Sequence, residues 1–273
     1  MKESKNYPLY EVTPVNSIRE LLDIAEAEVP EKIAFKYRVK DDIIKEIKYA
    51  EFIRDVNAVG SALCELGVVG EHIAQIGENS YRWINVYLTV LAGNGVYIPV
   101  DKDLPDGDII NILKHSDASV LFYSSKFDDF VQKYAASELA DIHYFIRICN
   151  NEEIADEIPE YFGTNPRFLS FEKLKEHGYE LLDIGYDEYL KRHSEPYDLK
   201  MIVYTSGTTG LAKGVMLCEH NLVSIVYYGL QVSTVYETYL SVLPYHHTYE
   251  AVAGLLVSLH HHSTICINEN LKS

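Results

Sequence analysis

Basic residues are scarce in this 273-residue chain: 24 lysines and arginines stand against 41 aspartates and glutamates, a net charge of −17. That deficit excludes sequence-independent DNA or RNA binding, which rests on clustered positive charge, and adsorption to an anionic membrane surface. A solvated acidic surface that keeps the protein in solution is the use such charge implies. Cysteine is sparse as well. Cys64, Cys149, Cys218 and Cys266 lie far apart with no C-x-x-C pair, so neither a zinc site nor a disulfide framework is indicated, and reduced thiols are expected. No apolar run approaches the roughly 18 residues of a membrane-spanning helix. The polar start, Met1 to Asn6, leads into no apolar signal-peptide core. Internal repeats and low-complexity tracts are lacking too. The expectation is a soluble, cytoplasmic protein with no nucleic-acid partner and no integral membrane segment.

What is present is a regular alternation of helix and strand signals. Ser17 and Glu20 have the spacing of a capping box, which predicts a helix to about Glu28, ahead of Pro30. Strand-like runs follow at 33–37 and 43–47, then an amphipathic helix with Phe52, Val56, Val59, Leu63 and Leu66 on one stripe. Strands predicted at 72–76, 96–100, 120–123 and 143–148 then alternate with helices around 84–91, 109–113 and 127–134. Such spacing implies β-α-β units, hence an α/β fold of mostly parallel sheets flanked by helices. Residues 150–170, with Asn150-Asn151-Glu152-Glu153, Pro159 and Gly163, read as a surface insertion. The 22 tyrosines are scattered through the elements and read as amphipathic packing residues.

Chemistry concentrates in one stretch, Tyr204-Thr205-Ser206-Gly207-Thr208-Thr209-Gly210-Leu211-Ala212-Lys213-Gly214, directly after the apolar run Met201-Ile202-Val203. Glycines bring backbone N–H groups close to an anion, hydroxyls add donors, and the lysine supplies a mobile positive charge. A loop of this kind is built to hold a polyphosphate. It is not a Walker A loop, because Ala212 precedes Lys213 and Gly214, not a hydroxyl residue, follows it.

The stretch resembles the phosphate loop of the adenylate-forming enzymes, which include acyl-CoA synthetases, luciferases and the adenylation domains of peptide synthetases. Their signature is [YF]-T-S-G-[ST]-T-G-x-P-K-G-V, and only Ala212 departs from it. Further likenesses are Leu217-Cys218-Glu219-His220-Asn221-Leu222, Asn79-Ser80-Tyr81-Arg82-Trp83 and Gly95 to Asp101. Leu243-Pro244-Tyr245-His246-His247-Thr248-Tyr249-Glu250 matches the family's L-P-x-x-H element, in a form similar to the branch acting on long-chain fatty acids.

The resemblance implies the N-terminal part of the large domain of a long-chain fatty acid–CoA ligase, an acid–thiol ligase using ATP, Mg²⁺ and CoA. It implies Thr205 for the Mg²⁺ contact, Ser206, Gly207, Thr208, Thr209 and Gly210 along the triphosphate, Lys213 near its outer end, and His247 as catalytic. His246 is the poorer match. Tyr249 and Glu250 open the next helix, where a carboxylate is stabilising whatever the function. His260-His261-His262 read as a helix C-terminus with no assigned role. Residues 1–197 are expected to form a first α/β subdomain, with 198–273 carrying the phosphate loop and the start of a second. The family's C-terminal domain, with its adenylation lysine, is missing, so the chain alone is expected to be inactive and to self-associate. Two alternatives stand beside this reading: a ligase for another carboxylic acid, and a non-catalytic fragment that binds a nucleotide or a partner chain.

Overall fold

A computed structural model describes residues 7–39, 43–149, 165–205 and 212–268. Helix α1 (Ile18–Glu28) opens at Ser17, whose hydroxyl accepts the Glu20 N–H at 3.0 Å. The reciprocal arm of the capping box is displaced: the Glu20 carboxylate takes the Asn16 N–H at 2.6 Å, one residue before the expected donor. Strands β1 (Ile33–Arg38) and β2 (Ile44–Lys48) pair antiparallel. On α2 (Tyr49–Glu65) the stripe Phe52, Val56, Val59 and Leu63 is fully buried.

The alternation then runs through β3 (Glu71–Ile76), α3 (Tyr81–Thr89), β4 (Gly95–Val100), α4 (Asp106–His115), β5 (Val120–Ser124), α5 (Asp128–Tyr134) and β6 (Tyr144–Ile148). Beyond these lie β7 (Phe168–Ser170), α6 (Phe171–Asp183), β8 (Leu199–Thr205), β9 (Lys213–Cys218) and α7 (Glu219–Val232). Strand β10 (Thr238–Ser241), a π-helical segment (Tyr249–Leu256), α8 (Val257–His260) and β11 (Thr264–Ile267) complete the described elements. Among the described residues no helix is long and apolar enough to cross a membrane.

The larger sheet has the order β7-β6-β5-β3-β4-β8-β9 and is parallel except for the β8–β9 hairpin. Its central strands are buried on both faces, and successive residues feed two different cores. Ile73, Tyr97, Val120, Phe122, Met201 and Val203 face α2 and α3. Ala74, Ile98, Leu121, Tyr123 and Ile202 face α4 and α5. The crossover from β4 to β5 passes back over β3, which puts α3 and α4 on opposite sides of the sheet. The smaller sheet, β10-β11-β1-β2, joins the hairpin near the start of the chain to strands near its end, so both sheets draw on both sides of residue 197.

The segment 150–170 needs a correction. Residues 150–164 lie outside the described residues, but 168–170 are no surface insertion: they form β7, paired in parallel with β6, with Phe168 and Ser170 buried. Helix α6 follows and lies against α2. A Cβ at Gly178 would sit 1.9 Å from the Ala58 carbonyl oxygen, so the close approach of these two helices requires glycine there.

Candidate active site at the ends of β4 and β8

Parallel strands place ligands at their carboxyl ends, where loops converge and backbone groups are free of the ladder. In the larger sheet β4 ends at Val100 and β8 at Thr205, on neighbouring strands. A cavity of about 310 Å³ opens there. Pro99 and Asp101 come from the end of β4, and Val203, Tyr204 and Thr205 from the end of β8. The turn after β10 contributes His246, His247 and Thr248, while Leu104 and Ile112 close the apolar side.

Thr205 and His247, proposed from separate motifs, thus line one cavity. Lys213 does not line it. It stands at the start of β9, in register opposite Thr205 and exposed, so its flexible stem starts beside the same strand end. Ser206, Gly207, Thr208, Thr209 and Gly210 lie outside the described residues. No strand had been read at 213–218, where Lys213 and Gly214 dilute the short apolar run Val215-Met216-Leu217.

His247 is held by its own turn. Its N–H donates to the Pro244 carbonyl at 3.0 Å, and its Nδ1 accepts the Tyr249 N–H at 3.3 Å. With Nδ1 acting as an acceptor, the neutral ring carries its proton on Nε2 and can donate it to an anionic ligand. His246 matters more than its weaker motif match suggested. It lines the cavity with Nε2 3.5 Å from Asp101 Oδ1. Burial holds its imidazole below the ordinary value, and the Asp101 charge opposes that shift. Asp101 also accepts the Asp103 N–H at 2.9 Å, which fixes its carboxylate. Tyr204 turns its hydroxyl to His115 Nδ1 at 2.8 Å. The sequence marks Asp101 only as the end of a family-like stretch and gives it no role, although its place directly after a strand in a parallel sheet was the available signal.

Tyr249 and Glu250 open a helical segment, as expected, and Glu250 does more than stabilise its start. It is fully buried and accepts hydrogen bonds from Tyr239 Oη at 2.8 Å and from the Ser241 hydroxyl, tying the π-helical segment to β10. Burial pushes its carboxyl up, with both hydroxyl bonds opposing. The three histidines do close a helix, α8, as expected. His260 Nε2 meets the Thr13 carbonyl at 2.8 Å.

The family model described as AMP-binding enzyme matches residues 22–272. This chain belongs to the AMP-binding enzyme family. Such enzymes use ATP to form adenylates, and relatives of several kinds are found. Long chain acyl-CoA synthetase 4 of Arabidopsis thaliana is 28% identical over 222 residues, covering 75% of this chain and 31% of the synthetase. Tyrocidine synthase 1 of Brevibacillus parabrevis is 26% identical over 220 residues, covering 80% of this chain and 16% of that protein. Among solved structures, the anthranilate CoA ligase AuaEII in complex with anthranoyl-AMP superposes with a TM-score of 0.75 at 18% identity. That match covers 96% of this chain and 46% of the ligase, and at this identity it establishes the shared fold. The AMP-binding chain therefore spans less than half the length of each of these relatives.

Proposed function

We propose that this chain is the N-terminal, ATP-binding part of a fatty acid–CoA ligase acting on long-chain acids. The observation that carries the reading is the meeting of Thr205 and His247 in one cavity at the end of the strand that leads into the phosphate loop. Similarity to a long chain acyl-CoA synthetase and the LP-x-HHTYE form support the choice of acid.

In this reading the fatty carboxylate attacks the α-phosphorus of ATP. An acyl–O–P bond forms, the bond to the β-phosphate breaks, and pyrophosphate leaves. The CoA thiolate then attacks the acyl carbonyl and AMP departs with the C–O bond electrons. The chain's own contribution is positioning and neutralisation of charge. Hydroxyls and amides of residues 205–210 hold the phosphates, Lys213 meets their outer charge, and His247 Nε2–H orients the carboxylate at the cavity wall. Thr205 offers one neutral oxygen, and among the described residues no group of three or more His, Cys, Asp or Glu could hold a metal. Such a donor set fits Mg²⁺ carried largely by phosphate oxygens and water. When bound, the ion would neutralise phosphate charge.

A second reading keeps the adenylation and changes the acid, and the comparable identity to tyrocidine synthase 1 favours it. Exchange of labelled pyrophosphate into ATP, driven by a panel of acids in the complete gene product, tests both. Exchange with palmitate supports the fatty acid reading. Exchange driven only by amino or aryl acids transfers the function to the second reading, and no exchange with any acid overturns both.

A further inference from the structure

Strand β10 stops pairing with β11 at Ser241, and the chain then turns sharply to present His246 and His247 to the cavity. Backbone groups that leave a sheet next to a core need new partners. The turn finds them in Asn79. Its Nδ2 donates to the Leu243 carbonyl at 2.7 Å, and its Oδ1 accepts the Tyr245 N–H at 3.0 Å. These contacts span 164 and 166 residues of sequence, and Asn79 is only 7% exposed. A primary amide is the one side chain that offers a donor and an acceptor side by side, so Asn79 completes the turn as a neighbouring strand would.

Asn79 is itself firmly placed. The next residue, Ser80, caps α3 by accepting the Trp83 N–H at 3.0 Å. Trp83, one turn on, packs its ring 5.1 Å from that of Tyr245, which is 1% exposed. Further along α3, Tyr87 Oη donates to the Ala251 carbonyl at 3.2 Å, holding the segment after the turn. The start of α3 therefore grips the turn by its backbone and by its one buried aromatic ring, two residues before His247.

We infer that Asn79 is the positioning residue for His247, setting the imidazole against the cavity through the Leu243–Tyr245 backbone. The inference rests on the adenylation reading given above and adds to it a residue that touches neither substrate. Misplacement of a group by about 1 Å costs about 10²-fold in rate, so Asn79→Ala should lower acid-dependent pyrophosphate exchange by one to two orders of magnitude, with KM for ATP little changed. In a His247→Ala background the same substitution should cost almost nothing, because the group it positions is gone.

The test is a double-mutant cycle of Asn79→Ala and His247→Ala in the complete gene product. Asn79→Ser, which keeps a polar group, serves should the alanine variant fold poorly. A spectroscopic arm uses the 273-residue chain itself. Its imidazole ¹H–¹⁵N spectrum, assigned with His247→Gln, should lose the Nδ1-acceptor signature of His247 in the Asn79 variants. Emission from Trp83, the single tryptophan, should shift as Tyr245 loosens. Equal losses from Asn79→Ala in both backgrounds, or unchanged exchange, would overturn the inference while leaving the adenylation reading intact. Absence of exchange in the unsubstituted enzyme would sink that reading, and the spectra would still decide whether Asn79 holds His247.

Discussion

Lys200 Nζ lies 3.8 Å from Glu219 Oε2, with both residues buried, at the root of the hairpin that carries the phosphate loop. The separation is too long for a hydrogen bond, so the pair is coupled through charge, and each member has another anchor. Lys200 donates to Ser194 Oγ at 2.9 Å, and Glu219 Oε1 accepts the Ile18 N–H at 2.7 Å. Burial pushes the lysine down and the carboxyl up, while each partner opposes the other's shift. Removing one partner strands a buried charge, at a cost of about 3 kcal/mol. Lys200→Met alone should therefore destabilise the chain markedly in urea. The double variant Lys200→Met with Glu219→Gln, which keeps an acceptor for Ile18, should recover most of the loss. Equal destabilisation in single and double variants would refute the coupling.

Thr205 and Lys213 stand opposite each other on β8 and β9, and the proposed function directs both at phosphate. Pyrophosphate and Mg·ATP should bind this chain more tightly than adenosine. Thr205→Ala and Lys213→Ala should each weaken that binding by about tenfold, roughly the worth of one charge-assisted hydrogen bond. Isothermal titration decides it: equal affinity for adenosine and ATP, or wild-type affinity in both variants, removes the phosphate assignment.

Replacing His247 by alanine removes the Nε2–H donor and should slow acid-dependent pyrophosphate exchange by about 10². His247→Gln restores an N–H near the same position and should retain part of the rate. Exchange reports adenylation without CoA, so an unaltered rate in His247→Ala would make the residue purely structural.

How far the residues foretold this arrangement depends on how local each feature is. The β8 strand and the His247 turn are contiguous stretches with their own pattern, and these were legible. So was the alternation that builds the larger sheet, because each strand is a compact apolar run. Strand β7 was not, since three residues acquire strand character only by lying beside β6. The Asp101–His246 pair and the Asn79 clamp were hidden for a different reason. Their partners meet only once the sheet order brings β4, α3 and the β10 turn together. Asn79, although it opens a family-like stretch, carries no sign of a backbone bond 164 residues away.

Burial holds His246, His260, His261 and His262 below the usual imidazole value of 6.5. Between the folded and unfolded values the unfolded chain binds more protons, so stability rises with pH there. The contribution is complete above about pH 6.5 and is lost as pH falls through the folded values. Glu219 and Glu250, raised by burial, act in the opposite sense, their contribution being lost as pH rises through their folded values. Comparison of two proteins isolates the histidine effect. Urea midpoints for the wild type should drop from pH 7 to pH 5.5, and His260→Gln, able to keep the Thr13 contact, should flatten that slope. An identical slope in both would exclude a contribution from His260.

Strand β9 forms an edge of the larger sheet, with Val215 and Met216 47% and 65% exposed. On α7, the next element, Ile225, Tyr228 and Val232 follow helical spacing and expose 43%, 62% and 57%. An open edge beside an apolar stripe invites pairing with another chain. The 273-residue chain should therefore self-associate in solution, and Met216→Lys combined with Ile225→Lys should shift it towards monomer. In the proposed reading it should also fail, taken alone, to release AMP from ATP, Mg²⁺, CoA and palmitate, since that reading gives Lys213 to the phosphates and Lys200 is buried against Glu219. Following AMP release while measuring mass by light scattering tests both expectations in one sample. Sustained turnover from a monomeric chain would contradict them together, whereas turnover confined to the associated form would show that a second copy completes the site.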